Sequence, residues 1–122
     1  MIWRANLYGK CDYFNQRWLA FTGRTLEEEL GDGWCNGVHP DDSERCLKTY
    51  NDAIRKHDAF EMEYRLRRYD GEYRWVLDSG GPIYDEQGGF IGYVGSAIDV
   101  TDRVEARAAL ARATLKDLGL SS

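Results

Sequence analysis

From residue 60 onward apolar and charged residues alternate without a break. Phe60, Met62, Tyr64 and Leu66 are separated by Glu61, Glu63, Arg65 and Arg67. A period of two puts one set on each face of an extended strand, so this segment can only be a half-buried strand and not a helix. Asp70-Gly71 follows, a pair suited to the tight turn of a hairpin, and Tyr73-Arg74-Trp75-Val76-Leu77 returns as the second arm. Gly80-Gly81-Pro82 is expected to interrupt that arm as a bulge before Ile83-Tyr84 resumes. A second turn over 85–89 leads to a last strand over 90–98. Phe90, Val94 and Ile98 are expected on one face of it, and Ile91, Tyr93 and Ala97 on the other. With both faces apolar, this strand is expected at the centre of a sheet.

The first half is built differently. Segments 2–8 and 10–14 read as two short strands about Gly9-Lys10. Asn15 can cap a short helix carrying Trp18 and Phe21, and Gly23 can stop it. Thr25 and Glu28 have the spacing of a capping box, with Gly31 and Gly33 beyond. His39-Pro40-Asp41-Asp42 opens the longest internal helix, expected over 40–57. Proline suits its first turn, acidic residues sit at its positive end, and Arg55 and Lys56 lie at the other. After the last strand, Thr101 or Asp102 is expected to cap an exit helix. Its residues Val104, Ala108, Ala111, Leu115 and Leu118 are spaced as a short heptad seam, and Gly119 closes it.

Composition narrows the class. The chain has 122 residues, enough for one core, and 30% of them are charged. No apolar run approaches the roughly 20 residues of a membrane span, and no signal-peptide core is present, so a cytoplasmic domain without membrane contact is expected. Sixteen basic against 21 acidic residues give a net charge of −5, which disfavours a phosphate-binding surface. Arg65, Arg67, Arg68, Tyr69, Tyr73 and Arg74 do gather on one hairpin, but Glu61, Glu63, Asp70 and Glu72 interleave with them. Cross-strand charge pairing accounts for that pattern, and no nucleic-acid partner is expected. Cys11, Cys35 and Cys46 are an odd number without a close pair and read as reduced thiols.

Taken in order, Asn15-Gln16-Arg17-Trp18 with Thr22-Gly23, Val38-His39-Pro40-Asp41-Asp42, Glu63-Tyr64-Arg65-Leu66, Asp70-Gly71-Glu72-Tyr73-Arg74-Trp75, Gly92-Tyr93-Val94-Gly95 and Asp99-Val100-Thr101-Asp102-Arg103 resemble the PAS sensory domain. The subgroup is that of bacterial sensor histidine kinases and diguanylate cyclases, and the resemblance covers residues 2–105. It implies an α+β fold: a five-stranded antiparallel sheet, a helical layer on one face, and a C-terminal exit helix. The sensory domain would occupy residues 1–100 and a connector 101–122, leading to an output domain. A sensory and dimerising role is implied, without chemistry in this fragment. The alternatives are a small-ligand-binding enzyme domain and a purely structural dimerisation module.

The resemblance also places a pocket between helices and sheet. It puts Ile91, Tyr93, Gly95 and Ala97 towards the helices, with Trp18, Tyr64 and Trp75 as neighbours. Two uses are open to these residues: holding a small, partly polar molecule, or simply filling the core. Asp99 and Thr101 mark the signal junction. No cofactor is expected. The flavin-binding members carry Asn-Cys-Arg where this chain has Trp34-Cys35-Asn36, and a glutamine where it has Ala97. A haem would need an axial histidine on the long helix, and His57 at its end reads as a solvated cation. Cys35, His39, Asp41 and Asp42 could be written as a nucleophile set, but His39 to Asp42 already have a task in starting a helix. The cysteines and histidines have no metal-ligand spacing. A homodimer through the outer sheet face and the exit helix is expected, since both are apolar and unpartnered within the chain.

Overall fold

The computed structural model describes residues 1–120. Strands β1 (Ile2–Ala5) and β2 (Cys11–Phe14) precede helices α1 (Gln16–Thr22) and α2 (Leu26–Glu29), a 3-10 turn over Gly33–Gly37, and the long helix α3 (Pro40–Lys56). Strands β3 (Phe60–Arg67), β4 (Tyr73–Tyr84) and β5 (Phe90–Asp99) follow, and helix α4 (Thr101–Asp117) leaves the end of β5. The connector expected over 101–122 thus begins as a helix, while its residues 121–122 lie outside the described residues. The strands form one antiparallel sheet in the order β2-β1-β5-β4-β3. β5 is central, as its two apolar faces require.

Local chemistry sets the helices. The Asn15 side chain accepts from the Trp18 N–H and also from the Ile2 N–H, so one cap joins α1 to β1. Thr25 and Glu28 complete the capping box of α2. Nδ1 of His39 accepts from the Asp41 N–H to start α3, and His57 closes it in the left-handed region at φ 56°. In place of a strand reaching residue 8, the Asn6 side chain accepts from the Tyr8 and Lys10 N–H groups, ending β1 at Ala5.

The inner face of the sheet carries Trp3, Ala5, Phe14, Met62, Tyr64, Leu66, Val76, Tyr93 and Ala97, all buried against Trp18, Trp34, Cys46 and Tyr50 of the helical layer. Burying about a dozen such side chains is the main stabilising term.

Three expectations are corrected here. Gly80-Gly81-Pro82 does not interrupt β4, which pairs with β5 through Gly80↔Gly95, Gly81↔Val94 and Pro82↔Tyr93. Pairing with β3 ends at Phe60↔Gly80, so Pro82 lies where β4 has already lost one neighbour and its missing N–H is tolerated. The irregularity falls instead at Ile83/Tyr84, opposite Gly92 and Phe90. Gly92 adopts φ 150°, and a Cβ there would stand 2.2 Å from the Ala5 carbonyl oxygen. This bulge shifts the alternation by one residue. Phe90 therefore turns inward beside Tyr93, with ring centroids 5.7 Å apart, while Ile91 is 46% exposed on the outside. Finally, neither Thr101 nor Asp102 caps α4: Val100 occupies the cap position without a side-chain bond.

Candidate functional site

Of the seven residues expected at the pocket, Gly95 is a bare position under the Trp3 ring, and the other six separate into two sets. Trp75 and Ile91 lie on the outer face. Trp75 is out of phase with the inward Val76 and Asp78, and the Arg65 guanidinium sits 5.0 Å from its ring centre. Trp18, Tyr64, Tyr93 and Ala97 are buried, but they do not converge. Trp18 packs on Phe14 and donates its indole N–H to Glu29. The Tyr93 hydroxyl lies 2.8 Å from the Ala53 carbonyl and 2.7 Å from that of Asp58, tying β5 to the end of α3. Ala97 borders a surface groove with Met1, Arg17 and Phe21.

Between sheet and helices lies a different space: a cavity of about 10 Å³ lined by Trp3, Cys11, Trp34, Tyr50, Phe60, Met62 and Asp78. None of the six lines it, although the Tyr64 hydroxyl bonds to Asp78, which does. The cavity owes its position to paired glycines. A Cβ on Gly95 would stand 2.2 Å from the Trp3 ring, and one on Gly80 2.7 Å from Phe60. Those two bare positions form the floor on which the Trp3 and Phe60 rings stack, with centroids 5.9 Å apart.

Asp78 is the polar centre of this space. It is 4% exposed and accepts from Nε1 of Trp3 at 2.8 Å and from the Tyr64 hydroxyl at 2.7 Å. Burial pushes its carboxyl up to about 6, against the opposing pull of the two donors. The indole N–H of Trp34 is the one buried side-chain polar atom without a hydrogen-bond partner among the described residues. Sequence reasoning missed both residues. For Asp78 a signal existed: counting in twos from Val76 puts a carboxylate on the buried face.

Other candidate groups have structural tasks. Burial raises the thiols of Cys11 and Cys46 to about 12 and that of Cys35 to about 11, the opposite of an activated nucleophile. The Asp42 carboxylate pairs with the Arg65 guanidinium at 2.9 Å and accepts the Arg65 backbone N–H at 2.8 Å. His57 stacks on Phe90 with centroids 3.8 Å apart, covering the end of α3. On the hairpin, Arg68 pairs with Asp70 and Glu72, and Arg74 pairs with Asp99.

At the junction, Asp99 receives Nε of Arg74 at 2.8 Å and the Thr101 N–H at 2.9 Å. Burial raises its carboxyl, but these donors outweigh it and the net shift is downward. The Thr101 hydroxyl accepts the Trp75 N–H at 2.9 Å, and the Val100 N–H donates to the Trp75 carbonyl at 2.8 Å. Thr101 thus extends the β4–β5 ladder into the first turn of α4. Farther along, Arg107 pairs with Glu63 of β3 at 2.8 Å.

An antiparallel sheet covered on one face, a closed aromatic interior and a helix welded to the central strand define a domain of the sensor type. The chain belongs to the PAS fold family, whose model matches residues 12–97. It is 42% identical over 103 residues to protein y4lL of Sinorhizobium fredii, covering 84% of this chain and 12% of that protein. It is 34% identical over 85 residues to the peroxide stress-activated histidine kinase mak1 of Schizosaccharomyces pombe, covering 63% of this chain and 5% of the kinase. Among solved structures, a sensory box histidine kinase/response regulator from Burkholderia thailandensis superposes with a TM-score of 0.70 at 28% identity, covering 96% of this chain and 88% of that one. The N-terminal PAS/PAC sensor domain of a Marinobacter aquaeolei diguanylate cyclase shares the fold, with a TM-score of 0.73 at 21% identity, 84% of this chain and 95% of that chain being covered. The chain therefore spans only a small part of the curated relatives it matches. It is a PAS domain homologous to those of sensor proteins, with a signalling role. No described helix is long and apolar enough to cross a membrane.

Proposed function

We propose that this chain is the cytoplasmic sensory module of a larger signalling protein with a histidine kinase or diguanylate cyclase output. It acts as a homodimer, binds a small molecule in its core without flavin or haem, and passes the change through α4. The observation that supports this most is the network at the junction. Asp99, Arg74, Thr101 and the backbone of Trp75 are bonded to one another, so a shift of β4 against β5 moves the first turn of α4 with it. Conversely, Leu110, Leu115 and Leu118 of α4 are exposed, which leaves the helix free to meet a copy of itself.

The test is made in the parent chain. Asp99→Ala is expected to uncouple output from stimulus while leaving the melting of the sensory domain within a few degrees of wild type. Unchanged stimulus response in this variant would overturn the relay. The purified domain is expected to show no visible absorption, and a flavin or Soret band stoichiometric with protein would overturn the cofactor part.

A further inference from the structure

We propose that Asp78 is a proton switch in the core: when its carboxyl gains a proton, the hydrogen bonds that join β4 to β1 and β3 weaken and one reverses, and the change reaches the first turn of α4 along β4. The switch involves no small-molecule guest, and only its last step rests on the relay through α4. Asp78 is 4% exposed, and the two groups bonded to it, the Trp3 indole and the Tyr64 hydroxyl, are neutral donors. No arginine, lysine or histidine pairs with it among the described residues. A buried carboxylate without a counter-cation is held weakly in its charged form. Burial raises this one to about 6, so the proton comes and goes near neutral pH.

The groups that face Asp78 do not compete with it. They are Tyr64 on β3, Cys11 on β2, Cys46 and Tyr50 on α3, and the Met1 ammonium ahead of β1. Burial pushes both thiols to about 12 and both phenols upward, so all four stay protonated while Asp78 titrates. The ammonium favours the charged carboxyl. β5 presents Ala97 opposite Asp78, and the two histidines lie at the ends of α3 against Tyr73 and Phe90.

The partners fix where the proton goes. An indole N–H can only donate, so Oδ1 remains the acceptor for Trp3. A phenol can donate or accept, so Oδ2 takes one proton from solvent and donates it to the Tyr64 oxygen, whose own hydrogen loses its acceptor. Both bonds lose the help of the negative charge and lengthen. The cavity of about 10 Å³ beside Asp78 has room for roughly one water to carry the proton, and the unpartnered Trp34 N–H makes its wall polar. Farther along β4, the Trp75 N–H donates to the Thr101 hydroxyl and the Trp75 carbonyl accepts the Val100 N–H, so a movement of β4 meets α4 there.

The experiment uses the whole 122-residue chain, labelled with nitrogen-15 throughout and with carbon-13 at the aspartate carboxyls, and followed by NMR from about pH 4.5 to about pH 8. The Asp78 carboxyl carbon is expected to titrate at about 6. The Trp3 indole N–H and the Trp75 and Thr101 amide signals are expected to move with the same midpoint. Asp78→Asn keeps an acceptor for Trp3 and offers Tyr64 a donor, so it is expected to hold those signals near their acid positions at every pH. Tyr64→Phe reads the switch without altering Asp78. It removes one donor to the carboxylate and is expected to raise the midpoint to about 7. The proposal is overturned if Asp78 titrates as an ordinary carboxylate near about 4, or if the Trp3 signal does not share its midpoint. It is also overturned if the same movement survives in Asp78→Asn, or if Tyr64→Phe leaves the midpoint in place or lowers it. Movement of Trp3 without Trp75 and Thr101 overturns the step to α4. The relay is read separately: Asp99→Ala can abolish output in the parent chain while this titration stays as in wild type, so the two fail independently.

Discussion

Asp78 makes a prediction of unusual sign. Its carboxyl stands at about 6 in the fold and near 3.8 in an unfolded chain. Between those values the folded state holds the extra proton. The stability this group contributes is therefore fully present below pH 4 and is lost as pH rises through 6, by on the order of 3 kcal/mol. Asp42 acts in the opposite sense. Held at about 2 by Arg65, it contributes stability above pH 4 that is lost as pH falls through 2. The Asp78 contribution is isolated by difference. Urea unfolding of wild type and Asp78→Asn at pH 4.5 and 7.5 is expected to show wild type losing ground to the variant as pH rises. A constant gap would mean that Asp78 does not titrate in this range. Thr101 makes the second prediction at this scale. It is 6% exposed and takes the Trp75 N–H, so Thr101→Ala leaves a ladder donor unpaired, at about 1–2 kcal/mol in denaturant titration. Thr101→Ser keeps the hydroxyl and is expected to restore most of that loss. The two residues differ in how legible they were. Thr101 could be marked from its place after the last strand, although its hydroxyl serves the sheet and does not cap the helix. Asp78 was hidden because a single carboxylate among apolar residues reads as a solvent-facing position unless the phase of the strand is carried through it.

At the scale of elements, capping chemistry and periodicity were sufficient where each residue's neighbours in sequence are also its neighbours in space. Asn15, Thr25, Glu28, Pro40 and the Asp70-Gly71 turn each act within a few residues, and the helices and the hairpin sit where those signals put them. The failures in the second half of the sheet share one cause. Gly80 and Gly95 answer to the rings of Trp3 and Phe60, which reach them from other strands, and Gly92 answers to the Ala5 carbonyl on β1. No local rule contains those partners, so the glycines of β4 looked like a break, and the bulge that turns Ile91 outward gave no sign. The same geometry predicts that Gly95→Ala is poorly tolerated. Its new methyl would overlap the Trp3 ring and the Ser79 carbonyl, and relief requires the indole to leave its floor. A loss of about 1–3 kcal/mol is expected, together with a shift of the Trp3 indole N–H signal as its bond to Asp78 is disturbed. Gly81 serves as the control: nothing lies within 4 Å of a Cβ there, so Gly81→Ala is expected to leave that signal in place.

For the molecule as a whole, the topology that makes β5 central also leaves one of its faces bare. Val94 and Ile98 on β5 and Ile2 on β1 are 42%, 54% and 40% exposed, and Trp75 and Leu77 of β4 share that outer face. α4 lies towards the β3–β4 side of that face and leaves Val94, Ile98 and Ile2 exposed. The helix is anchored at its start by Thr101 and held towards β3 by Arg107 on Glu63, and Val104 is its one half-buried apolar residue. Apolar side chains on the three middle strands are thus left side by side, where monomers seldom keep a continuous patch. A two-fold pairing would bring the same patch of each copy together and set the two α4 helices alongside each other. Ile98→Glu puts a charge at the centre of that patch without touching the core, so folding should change by no more than about 0.5 kcal/mol. Sedimentation velocity over a concentration series is expected to show weak dimerisation of the wild-type chain and less of it in Ile98→Glu. Leu115→Asp with Leu118→Asp tests the helical seam independently. If Ile98→Glu weakens the dimer and the double α4 variant does not, the sheet face alone carries the contact and α4 is free to point its signal elsewhere. Dimerisation unaffected by either variant would place the interface on a surface outside both β5 and α4.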